Sequence, residues 1–279
     1  MKINLSIQDI VDKNIRPLFR YMDTMQYSER IKWIMQNKLD ILLMLYDIKT
    51  LHSTRAFHLW KKQMNQVLFV QNLLDSSSIK YMFAKTIFLL PYMHADIDIV
   101  IHEKMINNAI LLLRKNGYNL RRILNRGEVI ELKNDDVSVE LHRSIEVLGL
   151  LQMSFESIGE PIEISIDIYN KLLNRNVYWK CPNLVVTYIL KLLDILDHKV
   201  ITLADLLELK IFSDVFGVPN ILFYNEATLH RYPKVLSINE AVLLGKTLMT
   251  YEKMIYTKLN ILSHIKELMY YLKIRVGII

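Results

Sequence analysis

Asp96 and Asp98 stand two residues apart in the stretch Ala95-Asp96-Ile97-Asp98-Ile99-Val100-Ile101. As a β-strand, whose side chains alternate between faces, this stretch puts both carboxylates on one side and points Ile97, Ile99 and Ile101 into a core. Further on, Val137-Ser138-Val139-Glu140-Leu141-His142 repeats the alternation, with Val137, Val139 and Leu141 inward and Ser138, Glu140 and His142 outward. Carboxylates brought close on apolar strands repel one another unless something neutralises them, and a hard divalent cation with oxygen ligands is the usual neutraliser. An Asp-x-Asp pair alone is a common solvated strand edge, so it is Glu140 that turns the pair into a candidate metal site. On a regular strand His142 shares the face of Glu140, where it either contacts phosphate, orients the carboxylate, or is simply a surface histidine.

The elements that must hold these residues follow from hydrophobic period and turn chemistry. Helical spacing runs from about Ser6 to Ser53, for example Ile31, Ile34, Met35 and Leu39, and the Met residues and Trp33 there read as core. A second helix is expected from Arg55 to Leu74, with Phe57, Trp60, Met64, Val67, Leu68 and Leu74 on its buried side, ending at Asp75-Ser76-Ser77-Ser78. Ile79 to Leu90 reads as one buried strand closed by Pro91. Lys85 within that run either snorkels to the surface or faces the same site as the aspartates.

The strand from Asp96 to His102 leads into a helix opened by Glu103 and stopped at Asn116-Gly117. Strands Tyr118 to Leu124, Glu128 to Leu132 and Val137 to His142 come next, joined by Asn125-Arg126-Gly127 and Asn134-Asp135-Asp136. Gly149 through Glu160 reads as a connection, and the alternation from Pro161 to Tyr169 as one more strand, at a sheet edge. Beyond Tyr169 the pattern is helical through Leu184 to Leu196, Leu203 to Phe212, Ile238 to Tyr251 and Met254 to Leu272. The expected class is α+β: a small mixed β-sheet core with helices packed on it, spanning residues 55–169, between an N-terminal helical region, 1–54, and a C-terminal one, 170–279.

At 279 residues and 52% hydrophobic content the chain can bury a sizeable core. The 35 Lys and Arg against 29 Asp and Glu leave a net charge of +6, which permits a phosphate-rich partner without demanding one. A single cysteine, Cys181, rules out an internal disulfide and a thiolate zinc cluster and fits a reducing cytoplasm, with Cys181 itself read as core. The N-terminus lacks the apolar run of a signal peptide, and Leu184 to Leu196, interrupted by Lys191 and Asp194, is too short to cross a bilayer. The expectation is a cytoplasmic protein with no membrane partner.

The order Asp-Ile-Asp, helix, Gly-Tyr, strand meander, Val-Glu-Leu-His resembles the uncharacterised nucleotidyltransferase group of the DNA polymerase beta superfamily, over roughly Arg55 to Asp205. The resemblance implies that Asp96, Asp98 and Glu140 bind two Mg²⁺ ions, with Mn²⁺ as a substitute, and carry catalysis. They would position a nucleoside triphosphate such as ATP and activate an attacking hydroxyl, on RNA, protein or a small molecule. Two cations would stabilise both the attacking and the leaving oxygen of an in-line displacement. The superfamily holds the triphosphate with Gly-Ser, or Lys-Gly in this group, at the end of the first strand; here Lys85-Thr86 stand instead, a hydroxyl and a charge without the glycine's close backbone approach. Lys85, Thr86 and His142 are therefore the expected nucleotide-binding residues. The missing glycine keeps open a nucleotide- or RNA-binding module that has lost turnover, and a toxin that modifies tRNA ends is a third reading. Arg114, Lys115, Arg121, Arg122 and Arg126, extended by Lys104 and Lys133, would receive an acidic acceptor such as RNA or else form a solvated face.

Overall fold

The computed structural model describes residues 2–36, 38–46, 51–85, 89–94, 96–124, 128–134, 137–147, 151–184, 186–188, 190–191 and 203–216. The chain divides into two units, one of Met1–Ser6 with Asp40–Leu190 and the other of Ile7–Leu39 with Lys191–Ile279. Helices and strands are interleaved and the sheets mix parallel with antiparallel pairing, an α+β architecture.

The strands of the first unit are β1 (Lys2–Leu5), β2 (Tyr81–Phe83), β3 (Asp96–Ile101), β4 (Asn119–Leu124), β5 (Val129–Asn134), β6 (Val137–His142), β7 (Ser144–Val147), β8 (Leu151–Ser154), β9 (Ile162–Ile166) and β10 (Trp179–Cys181). Five of them form one sheet in the order β2-β3-β6-β5-β4, in which β3 and β6 run parallel and the other neighbours antiparallel. Ile97, Ile99, Ile101, Val139 and Leu141 are buried completely, as the period-two alternation requires. Between β3 and β4 a short 3₁₀ turn, Glu103–Met105, precedes the helix Ile106–Lys115, so Glu103 opens a tighter turn before the helix proper. That helix ends where Gly117 takes φ of +89°, which lets Tyr118 N–H reach back to the carbonyl of Leu113 at 3.1 Å.

The expected long strand from Ile79 to Leu90 is corrected to three residues. β2 pairs Phe83 with Ile99, and one more bond, Ala84 N–H to the Asp98 carbonyl at 3.1 Å, ends the ladder. A further step would set Lys85 opposite Ile97, on the apolar face of the sheet, where an ammonium would be buried without water. Lys85 is instead half-buried, and Thr86 lies outside the described residues.

The strand near Pro161 to Tyr169 is present as β9, but in the middle of a three-stranded sheet, not at an edge. β1 pairs with it in parallel, Lys2 opposite Glu163 through Leu5 opposite Ile166, and β10 pairs antiparallel on its other side. Gly149 to Glu160 likewise is more than a connection. β8 pairs antiparallel with β7, and the one-turn helix Phe155–Ile158 follows, with the Ser154 side chain accepting from Ser157 N–H. The expected helix from Arg55 to Leu74 spans Leu51–Ser76, with Trp60, Met64, Val67, Val70 and Leu74 completely buried. Cys181 is buried, as core.

In the second unit the helices Gln8–Asp23 and Leu203–Phe216 touch, and Ile7, Val11, Ile15, Ile211 and Phe212 are buried completely. Lys191 is wholly buried there, its Nζ 2.7 Å from Asp205 and 2.8 Å from Glu208. Those carboxylates lie three residues apart and so share a helix face, which explains how a charged residue can interrupt the apolar run from Leu184. The helices read at Ile238 to Tyr251 and Met254 to Leu272, and the side chain of Trp33, lie outside the described residues. Among the described residues no helix is long and apolar enough to cross a membrane.

Candidate metal centre

The site grows from the pairing of β3 with β6. Their register sets Asp96 opposite Ser138, Asp98 opposite Glu140 and Val100 opposite His142. Residues opposite one another share a face, so all the polar members of both strands project on the side away from the isoleucines. Across the next ladder Glu131 of β5 stands opposite Glu140, and beyond it Arg122 of β4 stands opposite Glu131. One transverse row of the sheet therefore reads Asp98, Glu140, Glu131, Arg122.

Within this row the side chains converge. His142 Nε2 lies 2.8 Å from Asp98 Oδ1 and 3.7 Å from Glu140 Oε2, and the three side chains are only 13 to 15% exposed. One ligand atom from each of Asp98, Glu140 and His142 falls within 4.8 Å of the others, a set able to hold a metal ion. Asp96 stands one row away on the same face. Glu131 is bound on both oxygens: Ser138 Oγ donates to Oε1 at 2.8 Å and Arg122 Nε donates to Oε2. A bulge between Leu120 and Arg122 puts Arg122, and not Arg121, opposite Glu131, while the charge of Arg121 also acts on that carboxylate.

The electrostatics record an excess of negative charge. Burial, with the charges of Asp98 and Glu140, pushes the Asp96 carboxyl up to about 6, against the opposing pull of His142 and Lys85. Burial, with Asp98, also raises Glu140, while His142 opposes. At Asp98 burial is the largest single effect, but the hydrogen bond and charge of His142, with Lys85 and His94, outweigh it and hold the carboxyl below its ordinary value. Glu131 is lowered by the Ser138 hydrogen bond and by Arg122, so it stays ionised beside Glu140. Buried, mutually repelling oxygens with an imidazole among them are a donor set that a divalent cation relieves, so the residues fit a metal.

The structure thus brings Asp96, Asp98, Glu140 and His142 onto one face, with the charge of Lys85 acting on both aspartates. The expected basic cluster is described in part. Arg122 is engaged with Glu131, Arg114 and Lys115 are exposed at the end of their helix, and Arg126 lies outside the described residues. Two contributors had no signal as site residues. Glu131 becomes visible only through the β5–β6 register. Gln63, on the helix Leu51–Ser76, clamps the backbone of His94, donating to its carbonyl at 2.9 Å and accepting from its N–H at 3.3 Å, and so holds the loop that enters β3.

No family model and no curated protein matches the chain. Among solved structures it aligns with the solution structure of the antibiotic-resistance factor ANT(2'')-Ia at 13% identity and a TM-score of 0.33, over 75% of this chain and 97% of that one. A likeness of this degree defines neither the fold nor the activity.

Proposed function

We propose that the chain is a divalent-cation-dependent nucleotidyltransferase, moving a nucleoside monophosphate from a triphosphate to a hydroxyl of an acceptor. The observation that carries this reading is the convergence of Asp98, Glu140 and His142, with Asp96 beside them, on one face of adjacent parallel strands. Asp96, Asp98 and Glu140 would hold Mg²⁺, whose charge lowers the barrier to attack at phosphorus. Lys85, acting already on both aspartates, would bind the triphosphate together with Thr86. Glu140 would accept the proton of the attacking hydroxyl as its oxygen bonds to the α-phosphorus and the bond to the departing pyrophosphate breaks. Asp98→Ala should abolish transfer of label from an α-³²P triphosphate to any acceptor in RNA, protein or small-molecule pools; undiminished labelling by that variant refutes the proposal.

The end of β2 before Lys85 favours a second reading, a nucleotide-binding module without turnover, because the chain has neither a glycine there nor a strand continuing to it. Calorimetry with Mg²⁺ and each triphosphate separates the two: binding with no labelled product supports the module.

A further inference from the structure

We infer that His142 is itself a metal ligand, and that the centre therefore selects a divalent ion that accepts imidazole nitrogen, Mn²⁺ foremost, over Mg²⁺. The inference rests on the metal centre of the proposed function and goes on to name its ion. The first ground is which atoms converge. The tight set of donors is two carboxylates and a nitrogen, with Asp96 outside it. A single atom, Nε2, faces both carboxylates, at 2.8 and 3.7 Å. Around one octahedral ion with bonds near 2.1 Å, adjacent donors lie about 3 Å apart and opposite donors about 4.2 Å apart. The observed separations, all within 4.8 Å, sit close to that range.

The second ground is how firmly the ring is held. His142 lies on β6 between Val100 of β3 and Val129 of β5, both buried, in one transverse row. With 13% of its side chain exposed, the imidazole is largely covered where it stands beside the carboxylates. The third is charge. Asp98, Glu140 and a neutral imidazole balance one dication, and the charge that Asp96 adds to the centre from one row away is offset in part by the ammonium of Lys85. An ion entering this set replaces the bond between Nε2 and Asp98, and the ring then carries its proton on Nδ1. Imidazole suits first-row transition ions, whereas Mg²⁺ demands oxygen donors and keeps its waters.

The test is calorimetry of the full chain with MnCl₂ and with MgCl₂, on wild type, His142→Asn and Asp98→Asn, together with pulsed EPR of the Mn²⁺-loaded wild type. The inference expects ¹⁴N coupling from a directly bound ring nitrogen in the wild type. It also expects His142→Asn to lose about tenfold or more in Mn²⁺ affinity while Mg²⁺ affinity changes by less than about threefold. Absence of ¹⁴N coupling in wild type overturns it, with no variant needed. An unchanged ratio of Mn²⁺ to Mg²⁺ affinity in His142→Asn also overturns it, leaving His142 a positioning residue for Asp98. Should His142→Asn keep that ratio while Asp98→Asn loses both ions, the inference fails and the proposed metal centre stands. If Asp98→Asn binds both ions as wild type does, the centre itself fails.

Discussion

Replacing Asp96 by asparagine should make the metal-free protein more stable while removing its proposed activity. The Asp96 carboxyl is pushed from an ordinary 3.8 up to about 6, by burial first and then by Asp98 and Glu140. The folded state therefore binds this proton more tightly than the unfolded chain does. The stabilisation from protonated Asp96 is complete below pH 3.8 and is lost as pH rises through about 6. Each pH unit between the two values is worth about 1.4 kcal/mol, so at pH 8 an ionised Asp96 costs the fold at most about 3 kcal/mol, and about 2 kcal/mol once solvent screening of this partly exposed group is discounted. Asparagine keeps the shape and discards the charge. For a unit of this size, about 2–3 kcal/mol corresponds to roughly 5–10 °C in melting temperature. The assay is thermal unfolding in EDTA at pH 8 and at pH 4, followed by titration of MnCl₂ into each protein. Asp96→Asn should melt higher than wild type at pH 8, with the gain shrinking toward pH 4, and cation should raise wild type more than the variant. Equal melting temperatures at pH 8, or a gain that persists undiminished at pH 4, would refute the reasoning, because the penalty would then not be the carboxylate charge.

In the second unit, Lys191→Met takes the ammonium from two buried carboxylates and should cost about 3–5 kcal/mol, read as the largest drop in melting temperature among single charge removals. Replacing Asp205 and Glu208 by leucine in the same protein should recover most of that loss; failure to recover would show that the triad does more than satisfy itself. Gln63→Leu removes both hydrogen bonds to the His94 backbone and should cost about 1–3 kcal/mol, with faster amide exchange at His94 measured by NMR.

The parts of the fold that could be read from residues were those whose pattern ran long enough to show a period. Ile97, Ile99 and Ile101 alternate with the aspartates, and Val137, Val139 and Leu141 with Ser138, Glu140 and His142, so both strands and the facing of their carboxylates followed from spacing. The stripe Trp60, Met64, Val67, Leu74 did the same for the long helix. What escaped was short or set by partners distant in sequence. Lys2–Leu5 has four residues and Trp179–Cys181 three, too few for a period, and both are strands only because Ile162–Ile166 lies between them. The end of β2 was equally hidden, since it is Ile97 on the neighbouring strand that makes Lys85 unwelcome in the ladder. At the site, the kinds of residue were legible and their grouping was not. Spacing placed His142 on the face of Glu140, but only register puts its nitrogen on Asp98 and sets Glu131 next in the row.

The placing of β1 has a consequence during synthesis. Ser6, just past that strand, donates to Asp167 across 161 residues of chain, and Leu5 needs Ile166 opposite it. At about 5–20 residues per second a ribosome takes roughly 8–30 s to make that span. Throughout this interval β1 has its hydrogen-bonding edge open, and it stays open even after the strands of the metal centre, which end at His142, have been made. The nascent chain therefore carries an unclosed sheet edge at β1 until β9 emerges, and that edge is a place for a chaperone, or a neighbouring nascent chain, to take hold.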